Sequence, residues 1–297
     1  MIQERRMVIE RGSELWPMAL EDLQVPPARI YVLGDIRALD AQTVSVIGAR
    51  RATPYGIVAA EMAGRVAAEC GITVVSGGAM GCDHAASRSA LDAGGKTVIV
   101  CGCGPDIVYP RSSADIFSDA VLQGGAIISP FPWGSAPKRG TFVQRNALIA
   151  ALSPCLIVTE AGKRSGTMST ANTAAELDRE ILSVPGSIFS PYSSGTNFLI
   201  AEGAHPIVDE RDLEAAIAYR YGHARLIAER GEQTATPLLA ALLAQPTRPD
   251  ELAERLGDDM LTMMRVLSEL ELQGQVRRLP DGRYAPSAEF LRSRCAS

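Results

Sequence analysis

The sequence predicts an α/β protein with a Rossmann-like, doubly wound parallel sheet and a small C-terminal winged-helix module. Short β-branched apolar runs alternate with helical patterns from about residue 43 to residue 220, which is typical of parallel strands joined by crossover helices. Several of these runs end in glycine-rich turns. Beyond them, three helical patterns precede a hairpin that turns at Asp281-Gly282.

Changes in composition divide the chain of 297 residues into four predicted parts. Residues 1–40 are a lead-in interrupted by prolines, in which Ile30–Gly34 fits an edge strand. Residues 41–221 form the Rossmann-like domain, 222–236 a polar linker, and 237–297 the winged-helix-like domain. This length is sufficient for one large core and a small appendage.

The central prediction is a βαβ unit. Thr43–Ile47 is an apolar strand that stops at Gly48, and 73–75 is a second strand that runs into the glycine-rich turn 76–83. The intervening segment, 55–70, is a helix because a proline precedes it and a glycine follows it. A right-handed crossover places both glycine turns side by side at the carboxyl edge of the sheet.

Later segments continue the alternation. Strands are predicted at 96–101, 126–129, 155–159, 181–184 and 206–208, with helices at 81–93, 143–152, 163–178, 197–202 and 212–219. The winged-helix pattern comprises helices at 237–244, 250–256 and 260–273 and strands at 276–279 and 283–284.

Glycines at strand ends let backbone N–H groups approach a phosphate, and the following helix adds its positive dipole end. The turns therefore predict an anion site. Their spacing is not G-x-G-x-x-G, and Val75 leads straight into Ser76 with no acidic residue for a ribose, so a dinucleotide dehydrogenase is disfavoured. The alternative is that these glycines only form tight turns and that Asp83 only caps a helix.

Charge and cysteine content limit the classes of protein that fit this sequence. The formal net charge of −5 excludes a uniformly basic surface. Basic residues nevertheless concentrate between Lys138 and Arg164, where Glu160 is the only acidic residue. Six scattered cysteines fit neither a disulfide framework nor a zinc site, and the sequence shows no leader pattern and no membrane-length apolar run. We therefore expect a cytoplasmic protein without a metal or other cofactor.

Five motifs, in order and at fitting distances, resemble the DprA (Smf) family of bacterial DNA-processing proteins. Val46–Arg50 resembles V-G-S-R, Ser76–Asp83 resembles S-G-x-A-x-G-I-D, and Gly102–Pro110 resembles G-T-G-x-D-x-x-Y-P. Phe142–Asn146 is similar to the start of F-P-x-R-N-R, and Glu160–Thr170 to E-A-K-x-x-S-G-S-x-x-T. The chain departs from the pattern at Val143 and Ala147, which replace proline and arginine, and at Gly162, which replaces lysine.

The resemblance implies a non-enzymatic protein that binds single-stranded DNA in a basic pocket, dimerises, and passes the strand to RecA recombinase during natural transformation. Arg50 and Arg145 would be the main cationic phosphate contacts, and Phe142 would either stack on a base or lie in the core. The predicted nucleic-acid-binding residues are Gly48, Arg50, Ser76, Gly77, Gly78, Gly81, Asp83, Gly102, Gly104, Lys138, Arg139, Phe142, Arg145, Asn146, Lys163, Arg164, Ser165, Gly166 and Thr167.

Two other functions fit parts of the pattern. Nucleotide hydrolases of the cytokinin-activating type carry P-G-G-x-G-T-x-x-E, and Ser165–Thr167 with Glu176 lies in the comparable turn and helix, but the P-G-G start is missing. A nucleotide-sensing module would use the same glycine turns and saturate with one nucleotide.

The predicted recognition segment of the winged-helix module, 258–273, is acidic. It carries one basic residue, Arg265, and four acidic residues, Asp258, Asp259, Glu269 and Glu271. Because acidic side chains repel phosphate, we expect this module to contact protein or the main domain rather than DNA.

Overall fold

The structure is a computed structural model that describes residues 6–222 and 237–295. One nine-stranded sheet dominates it, in the order β1-β2-β6-β5-β4-β3-β7-β8-β9. The strands are β1 Arg6–Glu10, β2 Arg29–Gly34, β3 Thr43–Ile47, β4 Thr73–Ser76, β5 Thr97–Val100, β6 Ala126–Ser129, β7 Cys155–Val158, β8 Glu180–Ser183 and β9 His205–Pro206.

Helices cover both faces of this sheet. They are α1 Pro54–Glu69, α2 Cys82–Asp92, α3 Ala114–Leu122, α4 Arg139–Ala151, α5 Gly166–Glu176, α6 Ser194–Ala201 and α7 Glu210–Tyr221. Apolar residues of α1, α2 and α7 share one buried cluster with β3 and β4, and those of α4 and α5 share another on the opposite face. The doubly wound, Rossmann-like prediction is therefore confirmed.

The sheet is mixed at one end rather than wholly parallel. Strand β2 runs antiparallel to both β1 and β6, whereas β3–β9 pair in parallel. The prediction that Ile30–Gly34 is an edge strand is wrong, because β1 covers its outer side. Ile30 and Val32 are accordingly fully buried. Residues of the predicted lead-in thus contribute two strands to the main sheet.

Two helices depart from their predicted form. Helix α4 begins at Arg139 instead of Val143, because the Thr141 side chain accepts a hydrogen bond from the Lys138 backbone N–H and closes the first turn earlier. Helix α3 was not predicted from the sequence, although its Ile116, Phe117 and Ala120 form a buried face.

The C-terminal module contains α8 Pro237–Ala244, α9 Pro249–Leu256, α10 Met260–Leu272, the antiparallel strands β10 Val276–Arg278 and β11 Tyr284–Pro286, and α11 Ala288–Cys295. Its α11 lies against α1, where Arg292 pairs with Glu61. The Arg283 guanidinium carbon also lies 5.8 Å from the Tyr192 ring centroid. The module thus contacts the main domain through α11 and Arg283. That its acidic segment keeps it from binding DNA stays a prediction.

The predicted linker, 222–236, lies outside the described residues except for Gly222, which ends α7 with a φ of 73°. Among the helices in the described parts of the chain, none is both long and apolar enough to cross a membrane.

Candidate nucleic-acid interface

The order of the strands creates a crevice at the carboxyl edge of the sheet. Strand β3 lies between β4 and β7, so the chain winds away from β3 in one direction and later returns to its other side. In open α/β sheets ligands bind at such a switch point, where neighbouring loops diverge. The loops after β3, β4, β5 and β7 and the first turns of α4 meet here.

Gly77 in the loop after β4 is required by close packing. A Cβ at Gly77 would overlap the Arg145 Nη1 atom and lie 2.6 Å from the Asp83 Oδ2 atom. The next residue, Gly78, has a φ of 64°, which disfavours any side chain. The absence of side chains in this loop therefore leaves the space that the Arg145 guanidinium occupies, whatever else the loop N–H groups bind.

Arg145 and Asp83 form a buried pair of opposite charges beneath this loop. Their side chains are 4% and 6% exposed. Burial raises the pKa of the Asp83 carboxyl, and the charge of Arg145 opposes that rise. Burial lowers the pKa of Arg145, and Asp83 opposes that change. The Asp83 carboxylate also accepts a hydrogen bond from the Gly48 N–H at 3.4 Å. Asp83 is not the capping residue of α2, whose N-cap is Gly81 without a side-chain capping bond; its carboxylate instead faces Arg145 and the Gly48 N–H.

Phe142 occupies the centre of the exposed side of the site. Its ring centroid lies 5.2 Å from the Arg50 guanidinium carbon, 5.8 Å from that of Arg145 and 5.6 Å from the Tyr109 ring centroid. With Met80, these residues line a small, open pocket of about 40 Å³. Phe142 is half-buried and Arg50 is exposed. The arrangement offers an aromatic face bordered by two cations.

The start of α5 is held against the loop after β3 and against α4 by side-chain hydrogen bonds. The Thr167 hydroxyl donates to the Gly48 carbonyl oxygen at 2.9 Å, and the Asn146 amide donates to the Gly166 carbonyl oxygen at 3.3 Å. The buried Ser165 hydroxyl has no hydrogen-bond partner among the described residues. Next to it, the Lys163 ammonium lies 4.3 Å from the Phe198 ring centroid.

Glu160, at the end of β7, has a structural role. It is buried and accepts hydrogen bonds from the Thr53 N–H at 2.8 Å and the Thr53 hydroxyl at 2.5 Å. The Thr53 hydroxyl in turn accepts from the Gly56 N–H and caps α1. Burial raises the pKa of Glu160. Glu160 thus fixes the start of α1 and adds no exposed negative charge to the edge.

The predicted residues separate by exposure into three groups. Those open to solvent are Arg50, Lys138, Arg139, Lys163, Arg164 and Gly166; those half-buried are Gly81, Phe142, Asn146, Ser165 and Thr167; and those buried are Gly48, Ser76, Gly77, Gly78, Asp83, Gly102, Gly104 and Arg145. The sequence reading did not single out Tyr109 or Met80, although both fall inside motifs that it identified. Their aromatic and apolar character beside a basic turn was the available signal.

The fold and this edge define a Rossmann-like protein with a cationic, glycine-lined crevice. The chain belongs to the family described as DNA recombination-mediator protein A, which matches residues 7–218. Residues 224–282 match the DprA winged helix domain, which confirms the predicted module. The DprA (Smf) resemblance is thereby confirmed.

Individual relatives agree with this assignment. Protein Smf of Escherichia coli is 32% identical over 94% of this chain and 77% of its own length. The X-ray structure of DNA processing protein A from Streptococcus pneumoniae has a TM-score of 0.67 at 30% identity, over 71% of this chain and 74% of that chain. A Helicobacter pylori structure, titled for the single-stranded DNA binding mode of its DNA processing protein A, has a TM-score of 0.66 at 31% identity, over 73% and 97% of the two chains. The chain spans about half the length of some other curated relatives, for example 52% of a Synechocystis Smf protein.

Proposed function

We propose that the protein binds single-stranded DNA at the carboxyl edge of its sheet and acts as a non-enzymatic recombination mediator. In this proposal it protects incoming DNA during natural transformation, works as a homodimer and delivers the strand to RecA recombinase. The name of the Helicobacter pylori relative supports single-stranded DNA as the ligand.

The observation that carries the proposal is that the Phe142 ring centroid lies 5.2 Å from the Arg50 guanidinium carbon and 5.8 Å from that of Arg145. Single-stranded nucleic acids are held by aromatic faces that stack on bases and by cations that follow the phosphates, and a stacked base contributes about 1–3 kcal/mol. Phe142 and Tyr109 provide aromatic faces, and the exposed Arg50 provides the cation. A duplex would not present unstacked bases to these rings.

The predicted residues differ in solvent exposure, and we propose different roles for them on that basis. Arg50, Lys138, Arg139, Lys163 and Arg164 are exposed and would contact phosphates directly. Arg145 is reached only through the small pocket, so its main task would be to hold the glycine loop and support the Phe142 ring. Backbone N–H groups of Gly77, Gly78 and the α5 N-terminus would supply neutral donors.

The hydrolase alternative is disfavoured by the position of Glu176. This residue is exposed and lies at the last position of α5, nine residues beyond Thr167. At 1.5 Å per helical residue, the two are separated by about 14 Å along the axis. A catalytic carboxylate at Glu176 would therefore not reach a nucleotide held at the N-terminus of α5. The sensor alternative is distinguished from the DNA-binding proposal by dependence on oligonucleotide length.

The deciding experiment is fluorescence anisotropy with a labelled oligonucleotide, as a single strand, as a duplex and as a length series, at several salt concentrations. Arg50→Ala removes an exposed cation at the edge. Arg37→Ala is the matched control, because Arg37 is exposed and follows β2 at the opposite edge of the sheet. We expect preference for the single strand, affinity that falls with salt, and a loss in Arg50→Ala alone. Saturation by a single nucleotide, or equal affinity for the duplex, would contradict the proposal.

The partner proposals require separate assays. Light scattering of the full chain measures whether a dimer forms. RecA delivery is measured as the rate of RecA filament formation on a single strand, with wild-type protein and with Arg50→Ala. Stimulation by the wild type and its loss in the variant is the expected result; equal rates with and without the protein would refute RecA delivery.

A further inference from the structure

A cavity of about 350 Å³ lies between the main domain and the winged-helix module. Its main-domain wall consists of residues 53–55 at the start of α1, Glu160, and residues 186–190 and 193 in the loop after β8. Its module wall consists of residues 242–246 at the end of α8, Arg255 of α9, residues 285–286 of β11 and Leu291 of α11. Small-molecule sites are typically cavities of about 300–1,000 Å³ and often lie at domain interfaces. The size and position of this cavity therefore suit a small organic molecule.

The walls of the cavity are mostly apolar and include several flat side chains. These are three prolines, Pro54, Pro246 and Pro286, and two aromatic residues, Tyr55 and Phe189. Phe189 is exposed although it is large and apolar. Because aromatic rings pack well against other flat surfaces, these walls fit a planar ring system.

Two buried hydroxyl groups supply hydrogen-bonding capacity inside the cavity. Ser190 and Ser193 line it and are 8% and 5% exposed. Their hydroxyl groups form no hydrogen bond with any described residue. Buried polar groups in proteins normally have a hydrogen-bond partner. These two hydroxyls are therefore available to a molecule bound in the cavity.

Arg255 gives the cavity a positive charge. The charged residues among the described ones that line it are Arg255 and Glu160. Both carboxyl oxygens of Glu160 accept hydrogen bonds from Thr53, so this group is already engaged by the fold. Arg255 is exposed and forms no ion pair with a described residue. An exposed guanidinium at the edge of an apolar cavity favours a ligand with an anionic group.

We propose that this cavity binds a small aromatic anion, namely a planar ring system with one carboxylate, sulfonate or phosphate group. The ring packs between the two walls, the anionic group pairs with Arg255, and the Ser190 and Ser193 hydroxyls hydrogen-bond to the ligand. Because each domain contributes one wall, the bound molecule stabilises the arrangement in which the module is docked. The proposal does not rest on DNA binding.

The direct contacts between the two domains leave room for such an effect. They include the ion pair of Arg292 with Glu61, and the Arg292 side chain is 54% exposed. Exposed ion pairs contribute little to stability. A ligand shared by both walls therefore changes how firmly the module is held on the main domain.

The test titrates the full chain with anilinonaphthalene sulfonate, an aromatic anion whose fluorescence increases in apolar sites. We expect saturation at one molecule per chain. Ala244→Trp places a large ring in the cavity from the module side and should abolish saturable binding. Phe189→Ser removes a ring from the main-domain wall and should weaken binding about tenfold. The matched controls Ala175→Trp and Tyr219→Ser change exposed residues that do not line the cavity, and we expect the affinity of wild type.

A charge variant tests the anionic group. Arg255→Ala should weaken binding about fivefold, which is the upper end for an exposed ion pair. Arg277→Ala is its control, because Arg277 is exposed on β10 and does not line the cavity. Circular dichroism verifies that each variant is folded. Wild-type affinity in folded Ala244→Trp, or a loss confined to variants of one wall, would overturn the shared site.

Hydrogen–deuterium exchange measures whether the bound molecule holds the module. Helix α11 lies against α1, so its amides should exchange more slowly at saturating probe in wild type and not in Ala244→Trp. Unchanged exchange in α11 while the probe is bound would refute the effect on docking. Displacement of the probe by a short single strand would place the cavity on the path of DNA and contradict the proposed ligand.

Discussion

Arg145→Met keeps an unbranched side chain and removes the positive charge that faces Asp83. Both residues are buried, at 4% and 6% exposure. Removal of one partner from a buried pair costs about 3–5 kcal/mol, because the remaining charge is uncompensated. We expect the lower end, near 3 kcal/mol, since the Gly48 N–H still donates to Asp83. Such a loss is a large fraction of the 5–15 kcal/mol that stabilises a typical domain.

The loss should depend on pH with a definite sign. Burial raises the pKa of Asp83 above its unfolded value, and Arg145 opposes the rise. Without Arg145 the folded pKa of Asp83 rises further, so folding of the variant takes up a proton in the window between the unfolded and folded pKa values. The stability of the variant therefore increases as pH falls through the folded pKa. The difference from wild type should be larger at pH 8 than at pH 5.

Urea melts followed by circular dichroism at both pH values measure this difference. The double variant Arg145→Met with Asp83→Asn should recover most of the stability, because it leaves no buried charge at this point. Arg37→Met is the matched control: its partner Asp35 is at the surface, and we expect a much smaller, pH-independent change. A loss below about 1 kcal/mol for Arg145→Met, or the same loss at both pH values, would refute the coupling argued here.

Three further predictions concern packing, a second carboxyl and the winged-helix module. Gly64→Ala places a methyl group against a backbone carbonyl of α2 and should cost about 1–3 kcal/mol in urea melts; Gly140→Ala in α4, where a Cβ meets nothing within 4 Å, should cost nothing. Burial raises the folded pKa of Glu160, so wild-type stability falls as pH rises through that pKa. Glu160→Gln removes this titration, and we expect its stability to depend less on pH between pH 5 and 8. A pH dependence equal to that of the wild type in thermal melts would contradict this. Arg265→Ala on the exposed side of α10 should leave single-strand affinity unchanged in anisotropy, whereas a loss as large as that of Arg50→Ala would place DNA on the module.

Most strands of the parallel sheet were predictable because they are short apolar runs, several of them β-branched, that end at a turn. The position of β2 was not, because whether Ile30–Gly34 lies at an edge depends on β1, a five-residue strand with mostly exposed side chains. The missed α3 was different, since the spacing of its buried Ile116, Phe117 and Ala120 was visible in the sequence. Periodicity can therefore reveal an element that carries its own pattern, as α3 does, but not an edge position that depends on a second strand, as that of β2 depends on β1.

The same distinction applies to the site. Glycine turns and basic residues at strand ends predicted which loops converge, because the carboxyl ends of parallel strands must share one edge. The sequence could not distinguish Arg50 from Arg145 as cations, since the burial of Arg145 depends on Gly77 and Asp83, which belong to the β4–α2 segment far from it in the chain. The role of Phe142 also depends on a tertiary contact, the Gly102 backbone that packs on its ring.

The acidic net charge of −5 is compatible with the proposed binding of phosphates at this edge because of where the carboxylates lie. Asp83 and Glu160 follow β4 and β7 at this edge, yet both are buried, one facing Arg145 and the other bonded to Thr53. Among the described residues of these loops and helix starts, the exposed charges then include Arg50, Lys138 and Arg139 at the start of α4, and Lys163 and Arg164 just before α5. A phosphate approaching the edge would meet exposed cations and helix N-termini first, whereas the carboxylates act on the fold. Local placement, and not net charge, is what makes the crevice a candidate for nucleic acid.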